Sequence, residues 1–253
     1  MEALRVERTD AVLRVTLARP ERRNAFDAAL IAELTEAFGD VGDARAVVLA
    51  GEGPSFCAGA DVEWQRAAVE LSYEENVEDA LRLYRMLEGI DSCPAPVVVR
   101  VHGYALGGGS GLVACADVAL AAEGAVFGFS EVKLGIVPAV ISPFVLAKIG
   151  AAARRYFLTG ERLDAETALR IGLVSEVTAD LDGALDAFLA QLLSSGPEAA
   201  RAAKLLVRER PGGEEAARIA ARLRTSPEGQ EGLRAFLEKR RANFVQKEDP
   251  QGQ

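Results

Sequence analysis

The first regular pattern in the chain is an alternation, with Leu13, Val15 and Leu17 apolar and Arg14 and Thr16 polar, the period of a half-buried strand. The segment PERRNAFD then turns, and Asp27 is placed to cap a helix whose apolar face is Leu30, Ile31, Leu34 and Phe38. Residues 46–50 form a short apolar run, read as a buried strand. The run leads into GEGPSFCAGAD, a loop that bends on Gly51, Gly53, Pro54 and Gly59. Residues 62–75, with Trp64, have weak periodicity and read as a mobile cover. From residue 77 onward Val77, Ala80, Leu81, Tyr84 and Leu87 draw a helical stripe that ends near Gly89, before Pro94 and Pro96.

The pattern is densest between residues 97 and 140. A β-branched run over residues 97–101 predicts a buried strand. A loop carrying Gly107, Gly108 and Gly109 follows, then Ser110, Gly111 and a short helical segment over residues 112–116. Strand-like pieces at 118–121 and 126–129 lead to Glu131. Further on, Ser142-Pro143 opens a helix that Gly150 closes, and a second helix ends at Gly160. Asp164 caps a third that stops at Gly172, and residues 173–177 make a last strand. From about residue 182 the chain reads as helix. Phe188 and Leu192 share a face, Pro197 starts the next helix and Pro211-Gly212-Gly213 breaks it. Ser226-Pro227 starts a final helix bearing Leu233, Phe236 and Leu237. No repeat of fixed period is visible. Strands with helices between them, then helices alone, predict an α/β core over residues 1–195 and a helical C-terminal region over 196–253.

Composition narrows the function. The 253 residues suffice for a sizeable core, and a net charge of −9 disfavours nucleic acid or an anionic membrane as the main partner. Cys57, Cys93 and Cys115 are odd in number and lack the histidine partners of a zinc site, so neither a disulfide framework nor a metal is expected. The first residues lack the apolar core of a signal peptide, and charges or prolines interrupt every long apolar stretch. A cytoplasmic location without a membrane span is therefore expected.

Candidate chemistry gathers at two glycine-bearing loops, CAGAD (57–61) and ALGGGSG (105–111), each following a buried strand. If the strands are neighbours, the loops leave the same edge and their N–H groups can converge on one oxygen atom, an oxyanion hole. The same glycines also suit tight turns and close helix packing, so the loops alone leave both readings open. The dinucleotide pattern G-x-G-x-x-G and the hydrolase elbow G-x-S-x-G both fail at Leu112, and no P-loop lysine is present. Ser110 with the single His102 keeps an acyl hydrolase as a reading from another class. His102, at a strand end, reads foremost as a structural hydrogen-bonding group. Glu131, between Phe129 and the apolar run 134–140, is either a carboxyl group with a raised pKa, suited to proton transfer, or a cap paired with Lys133.

Taken together, RRNAFD, FCAGADV, HGYALGGGSGLVACAD, FGFSEVKLGIVPAVISPFVLAKIG, TGERLDAETALRIGLVSEV and GLRAFLEKR resemble the crotonase, or enoyl-CoA hydratase/isomerase, superfamily over nearly the whole chain. The resemblance implies a spiral of ββα turns with a helical C-terminal part that builds homotrimers, often paired into hexamers. It implies an acyl-CoA substrate and no cofactor beyond that coenzyme A. The backbone N–H groups of Ala60 and Gly108 would form the oxyanion hole. Glu131 would be the acid/base, and coenzyme A would meet Arg22 or Arg23, the loop from Ala58 to Asp61, and Lys239 or Arg240 from a neighbouring chain. Typical hydratases carry a further glutamate where Gly111 stands here. One base suffices to move a double bond, which favours an isomerase. The wording of 130–146 instead resembles hydratases of the 3-methylglutaconyl-CoA type. Addition of water to a 2-enoyl-CoA is the leading reading, with Gly111 as an opening for a branched or carboxylated acyl group. A non-catalytic CoA-binding protein is the reading without chemistry.

Overall fold

The computed structural model describes residues 2–9 and 11–245. A six-stranded sheet has the order β1 (Leu4–Thr9), β2 (Val12–Leu17), β3 (Ala46–Gly51), β4 (Val97–Val101), β6 (Val118–Ala122), β9 (Glu176–Thr178). Only the β1–β2 pair is antiparallel, and parallel registers such as Val47↔Val97 and Val98↔Val118 continue across the sheet. A three-stranded sheet holds β5 (Tyr104–Leu106), β7 (Val126–Gly128) and β8 (Arg162–Asp164).

Alternation along β3 and β4 sends side chains to two cores. Val47, Leu49, Val97 and Val99 face one core, shared with α1 (Ala28–Gly39), α3 (Tyr73–Asp91) and α4 (Gly108–Cys115). Val48, Val98 and Leu120 face Leu181, Leu185 and Leu189 of α8 (Leu181–Leu193). A sheet covered on both faces explains why its strands read as unbroken apolar runs. The remaining helices are α2 (Val62–Ala68), α5 (Ser142–Ile149), α6 (Ala153–Thr159), α7 (Ala165–Arg170), α9 (Pro197–Glu209), α10 (Gly213–Thr225) and α11 (Pro227–Leu237). None of the described helices is long and apolar enough to cross a membrane.

Several elements differ from their sequence reading. Residues 62–75 are largely helical where the sequence shows only weak periodicity: Asp61 caps α2, and Ser72 starts α3 with a capping box to Glu75. The inward face of α3 is Met86, Leu87 and Ile90, whereas Val77 and Leu81 are exposed, so the true stripe is rotated from the predicted one. Helix α4 begins at Gly108, so Gly108 and Gly109 lie in its first turn and only Gly107, its N-cap, belongs to the predicted loop before it. The last strand is confined to Glu176–Thr178, with Leu173 and Val174 packed in the core before it. Strand β1 escaped the pattern because only Leu4 of its residues is buried, and β8 because it has three residues.

The three thiols are buried and unpaired. Burial pushes Cys57 up to about 12 and Cys115 well above the ordinary thiol range.

The C-terminal helices are tied to the core by charged side chains. Lys204 of α9, only 7% exposed, pairs with Asp117 at 2.8 Å, and Asp117 also accepts from the Val97 N–H at 2.7 Å. Arg45 donates to the carbonyls of Leu193, Ser195 and Phe244. The predicted C-terminal region extends past residue 245, and its last residues, 246–253, lie outside the described part. Lys204→Met leaves the Asp117 carboxylate without its buried cation and is expected to lower unfolding free energy by about 1 kcal/mol in urea titration.

Candidate active site

The loop after β3 and the loop after β4 meet through backbone. Cys57 bridges Ala105 in parallel: its N–H donates to Tyr104 and its carbonyl accepts from Leu106. A second parallel bridge joins Phe26 to Ala60. Here the Phe26 N–H donates to Gly59 and the Phe26 carbonyl accepts from Asp61. In a parallel bridge the partner residue's own N–H points the other way. The Ala60 N–H therefore faces away from Phe26. Neither it nor the Gly108 N–H, in the first turn of α4, meets a protein acceptor among the described residues.

Each glycine of the triplet is required for a different reason. Gly107 has φ 51° and ψ −119°, a conformation open to glycine alone. A Cβ on Gly108 would lie 2.8 Å from the Phe26 ring, and one on Gly109 would lie 2.4 Å from the Cys57 carbonyl oxygen. The Gly107 N–H donates to Gly128 at 2.8 Å, which fastens the end of β7 and so places Glu131, in the 3₁₀ turn Ser130–Leu134, beside the triplet. Glu131 Oε1 stands 3.1 Å from where a Cβ of residue 107 would be, and Oε2 is buried with no partner. Burial raises the Glu131 pKa above the ordinary carboxylate value. No ion pair with Lys133 forms among the described residues, so the capping alternative fails.

Phe26, Ala58, Ala60, Gly108 and Glu131 open on one cleft of about 510 Å³, walled further by α2, α3 and residues 134–141. Its other charged side chain is Asp79 of α3, 14% exposed and paired with Arg82 at 3.0 Å. Asp79 was not singled out from the sequence. It shares the cleft-facing register 76, 79, 80, 83, which the mis-rotated stripe hid.

Other expected site residues stand elsewhere. Ser110 is fully buried, donates to the Ala105 carbonyl at 2.6 Å and accepts from the Gly128 N–H at 3.3 Å. It clamps β5 to β7 and does not face the cleft, which removes the Ser110 hydrolase. His102 is structural as expected, with Nε2–H donating to the Gly53 carbonyl at 2.8 Å. Asp61 is turned inward: it caps α2 and pairs with Arg19, so its side chain is not a coenzyme contact. Gly111 is no opening, because a Cβ there would lie 2.6 Å from Ile141 Cγ2 and 3.1 Å from its Cβ. Arg22 and Arg23 are exposed, and the Arg23 carbonyl accepts from the Ala58 N–H at 3.0 Å, which holds them beside the cleft's loop. Lys239 is exposed just past α11, outside the cleft, while Arg240 is already paired with Glu231 and Glu238.

Two residues that the sequence reading missed hold the loops in place. Asn24, fully buried with φ 55°, donates to the carbonyls of Glu52 (2.9 Å) and Ser55 (2.8 Å) and accepts from the Arg19 N–H (2.9 Å). Arg19 joins the caps of two helices, Asp27 at 2.8 Å and Asp61 at 3.5 Å.

A cleft with two uncommitted N–H donors beside one desolvated carboxyl group is built to hold a carbonyl oxygen as it gains charge and to move a proton next to it. Comparison with known proteins gives the family. The pattern of the enoyl-CoA hydratase/isomerase family matches residues 7–247. Pseudomonas aeruginosa AtuE is 40% identical with a TM-score of 0.92, covering 97% of this chain and 100% of that one. An enoyl-CoA hydratase from Shewanella pealeana is 38% identical, with a TM-score of 0.90 and 95% of each chain covered. One from Mycobacterium smegmatis is 34% identical, TM-score 0.90, over 96% and 99%. The chain belongs to the enoyl-CoA hydratase/isomerase family and has the crotonase fold.

Asn24→Ala leaves two buried carbonyls without donors and keeps a left-handed backbone without its side-chain support. It is expected to cost about 3 kcal/mol in denaturant titration. Asn24→Asp, which puts an acceptor against the same carbonyls, should be at least as costly.

Proposed function

We propose that the enzyme adds water across the 2,3 double bond of an enoyl-CoA thioester with an uncharged acyl chain, using Glu131 as its one proton-transfer group. The observation that carries this reading is the desolvated Glu131 carboxyl, its Oε2 unpartnered, in the cleft that also presents the Ala60 and Gly108 N–H groups. The thioester carbonyl accepts from those two donors, and they stabilise the negative oxygen that forms as the oxygen of water bonds to carbon 3. Glu131, loaded with a proton, delivers it to carbon 2 while its other oxygen takes a proton from the attacking water. The double bond is consumed, C–O and C–H bonds form, and Glu131 ends protonated as it began. Burial, which raises its pKa, favours the proton-loaded form. No cationic side chain lines the cleft among the described residues, so a second carboxylate on the acyl chain would lose water there without gaining a counter-charge, which speaks against the glutaconyl type. Arg22 and Arg23, beside Ala58, are the side chains we assign to the coenzyme's phosphates.

The apolar Ile141 at Gly111 favours a second reading, in which Glu131 starts as a carboxylate and carries one proton between carbons 4 and 2. Product masses separate the two: water addition for the first, an unchanged mass with a moved double bond for the second. The pH dependence of kcat/KM separates them again. Hydration by the loaded acid falls as pH rises through the raised pKa of Glu131, whereas isomerisation by the carboxylate rises over the same interval. In either case Glu131→Gln is expected to lose about 10²- to 10⁴-fold in kcat while binding acyl-CoA as before. A variant with wild-type turnover removes Glu131 from the chemistry.

We also propose that the protein assembles as a homotrimer or hexamer through its C-terminal helices. On α11, Phe236 is 80% and Leu237 77% exposed, with Leu233 beside them, a large apolar surface for a lone chain. The assembly would bring Lys239 to a neighbour's coenzyme. Sedimentation of wild type is expected to show a trimer or hexamer, and Phe236→Asp with Leu237→Asp to shift it toward monomer.

A further inference from the structure

We infer that Ile141 sets which acyl groups the cleft accepts, closing it against substituents on carbon 3. Gly107 is the N-cap of α4 and Gly111 lies one turn into the helix, its N–H donating to the Gly107 carbonyl at 3.0 Å. Against Gly107 stands the Glu131 carboxyl, and against Gly111 stands Ile141, with Leu87 Cδ2 behind it at 3.8 Å from the same point. Glu131 and Ile141 thus both line the cleft and stand against positions of the chain about one helical turn, or ~5.4 Å, apart.

The substrate's path follows from that order. Its carbonyl oxygen is held at Ala60 and Gly108, carbon 2 lies within reach of Glu131, and the chain beyond carbon 2 meets Ile141. Ile141 lines the cleft yet is only 3% exposed, because its other side is packed on Gly111 and Leu87. Its backbone is fixed as well, since its carbonyl accepts from the Val145 N–H of α5 at 3.1 Å. The contact at Gly111 is so close that not even a Cβ fits between them. Ile141 therefore cannot retreat toward α4, and a methyl branch on carbon 3 that meets its cleft face cannot push it aside. The same side chain occupies the volume that a carboxylate at residue 111 would need. Gly111 and Ile141 form a size-complementary pair, and straight acyl chains are the ones the pair admits.

This inference rests on the proposed enoyl-CoA reading, and its test has one arm that needs no turnover. Dissociation constants of butyryl-CoA and isovaleryl-CoA, saturated and differing by one methyl on carbon 3, are measured by calorimetry for wild type, Ile141→Ala and Ile141→Val. The kinetic arm measures kcat/KM for crotonyl-CoA and 3-methylcrotonyl-CoA. Wild type is expected to favour the unbranched partner of each pair. Ile141→Ala should shift both ratios toward the branched one by on the order of 10-fold, the effect of about one methyl group in an apolar pocket. Ile141→Val should shift them less and serves if the alanine variant does not fold. A role in packing alone would weaken both members of a pair equally. Unchanged ratios in binding overturn the assignment of Ile141 even if hydration is observed. A shifted binding ratio without any hydration by wild type upholds Ile141 and overturns the hydration reading.

Discussion

The parallel bridge between Cys57 and Ala105 brings two chain segments, which leave neighbouring strands of one sheet, into backbone contact. Everything at the active site depends on that closeness. A side chain on residue 109 would meet the Cys57 carbonyl at 2.4 Å, and a Cβ on Gly59 would meet the Leu106 carbonyl at 3.0 Å. Because no side chain intervenes, backbone N–H groups from both segments face one cleft. Asn24 and Arg19 brace the first segment from below, and Ser110 braces the second by joining β5 to β7. The two N–H groups owe their fixed positions to these buried polar contacts.

The carboxyl group is handled by the opposite device. Glu131 is partly withdrawn from water and its Oε2 has no partner among the described residues, so its raised pKa comes from desolvation and not from an ion pair. Asp79, in the same cleft, has Arg82 as its neutralising partner. Two carboxyl groups in one cavity are thus given different surroundings, desolvation for Glu131 and an ion pair for Asp79.

The main features of this arrangement were legible in the sequence where local patterns decide the outcome. Asp27, Ser142-Pro143, Pro197 and Ser226-Pro227 start helices where expected, and the apolar runs at 46–50 and 97–101 are the adjacent central strands. The two glycine loops do meet. What stayed hidden depends on contacts between distant residues. Asn24 reads as an ordinary turn residue until its partners, about 30 positions away, are seen. Gly111 reads as empty space until Ile141 fills it, and Asp61 as a ligand contact until it turns inward to cap α2. The face of α3 was misjudged because its first turns line a cleft and not the core, so apolar spacing there no longer marks burial.

The burial of all three cysteines also has a practical side. Cys57, Cys93 and Cys115 sit in the interior, and each thiol is driven toward its unreactive protonated form. A folded molecule therefore resists maleimides and other alkylating reagents at neutral pH, while an opened chain offers all three sulfurs. Thiol labelling becomes an intrinsic clock for unfolding. Cys57 is the most informative of the three, since the segment that carries it also presents the Ala60 N–H to the cleft. A single cysteine engineered onto the surface could take a dye without the native ones being removed.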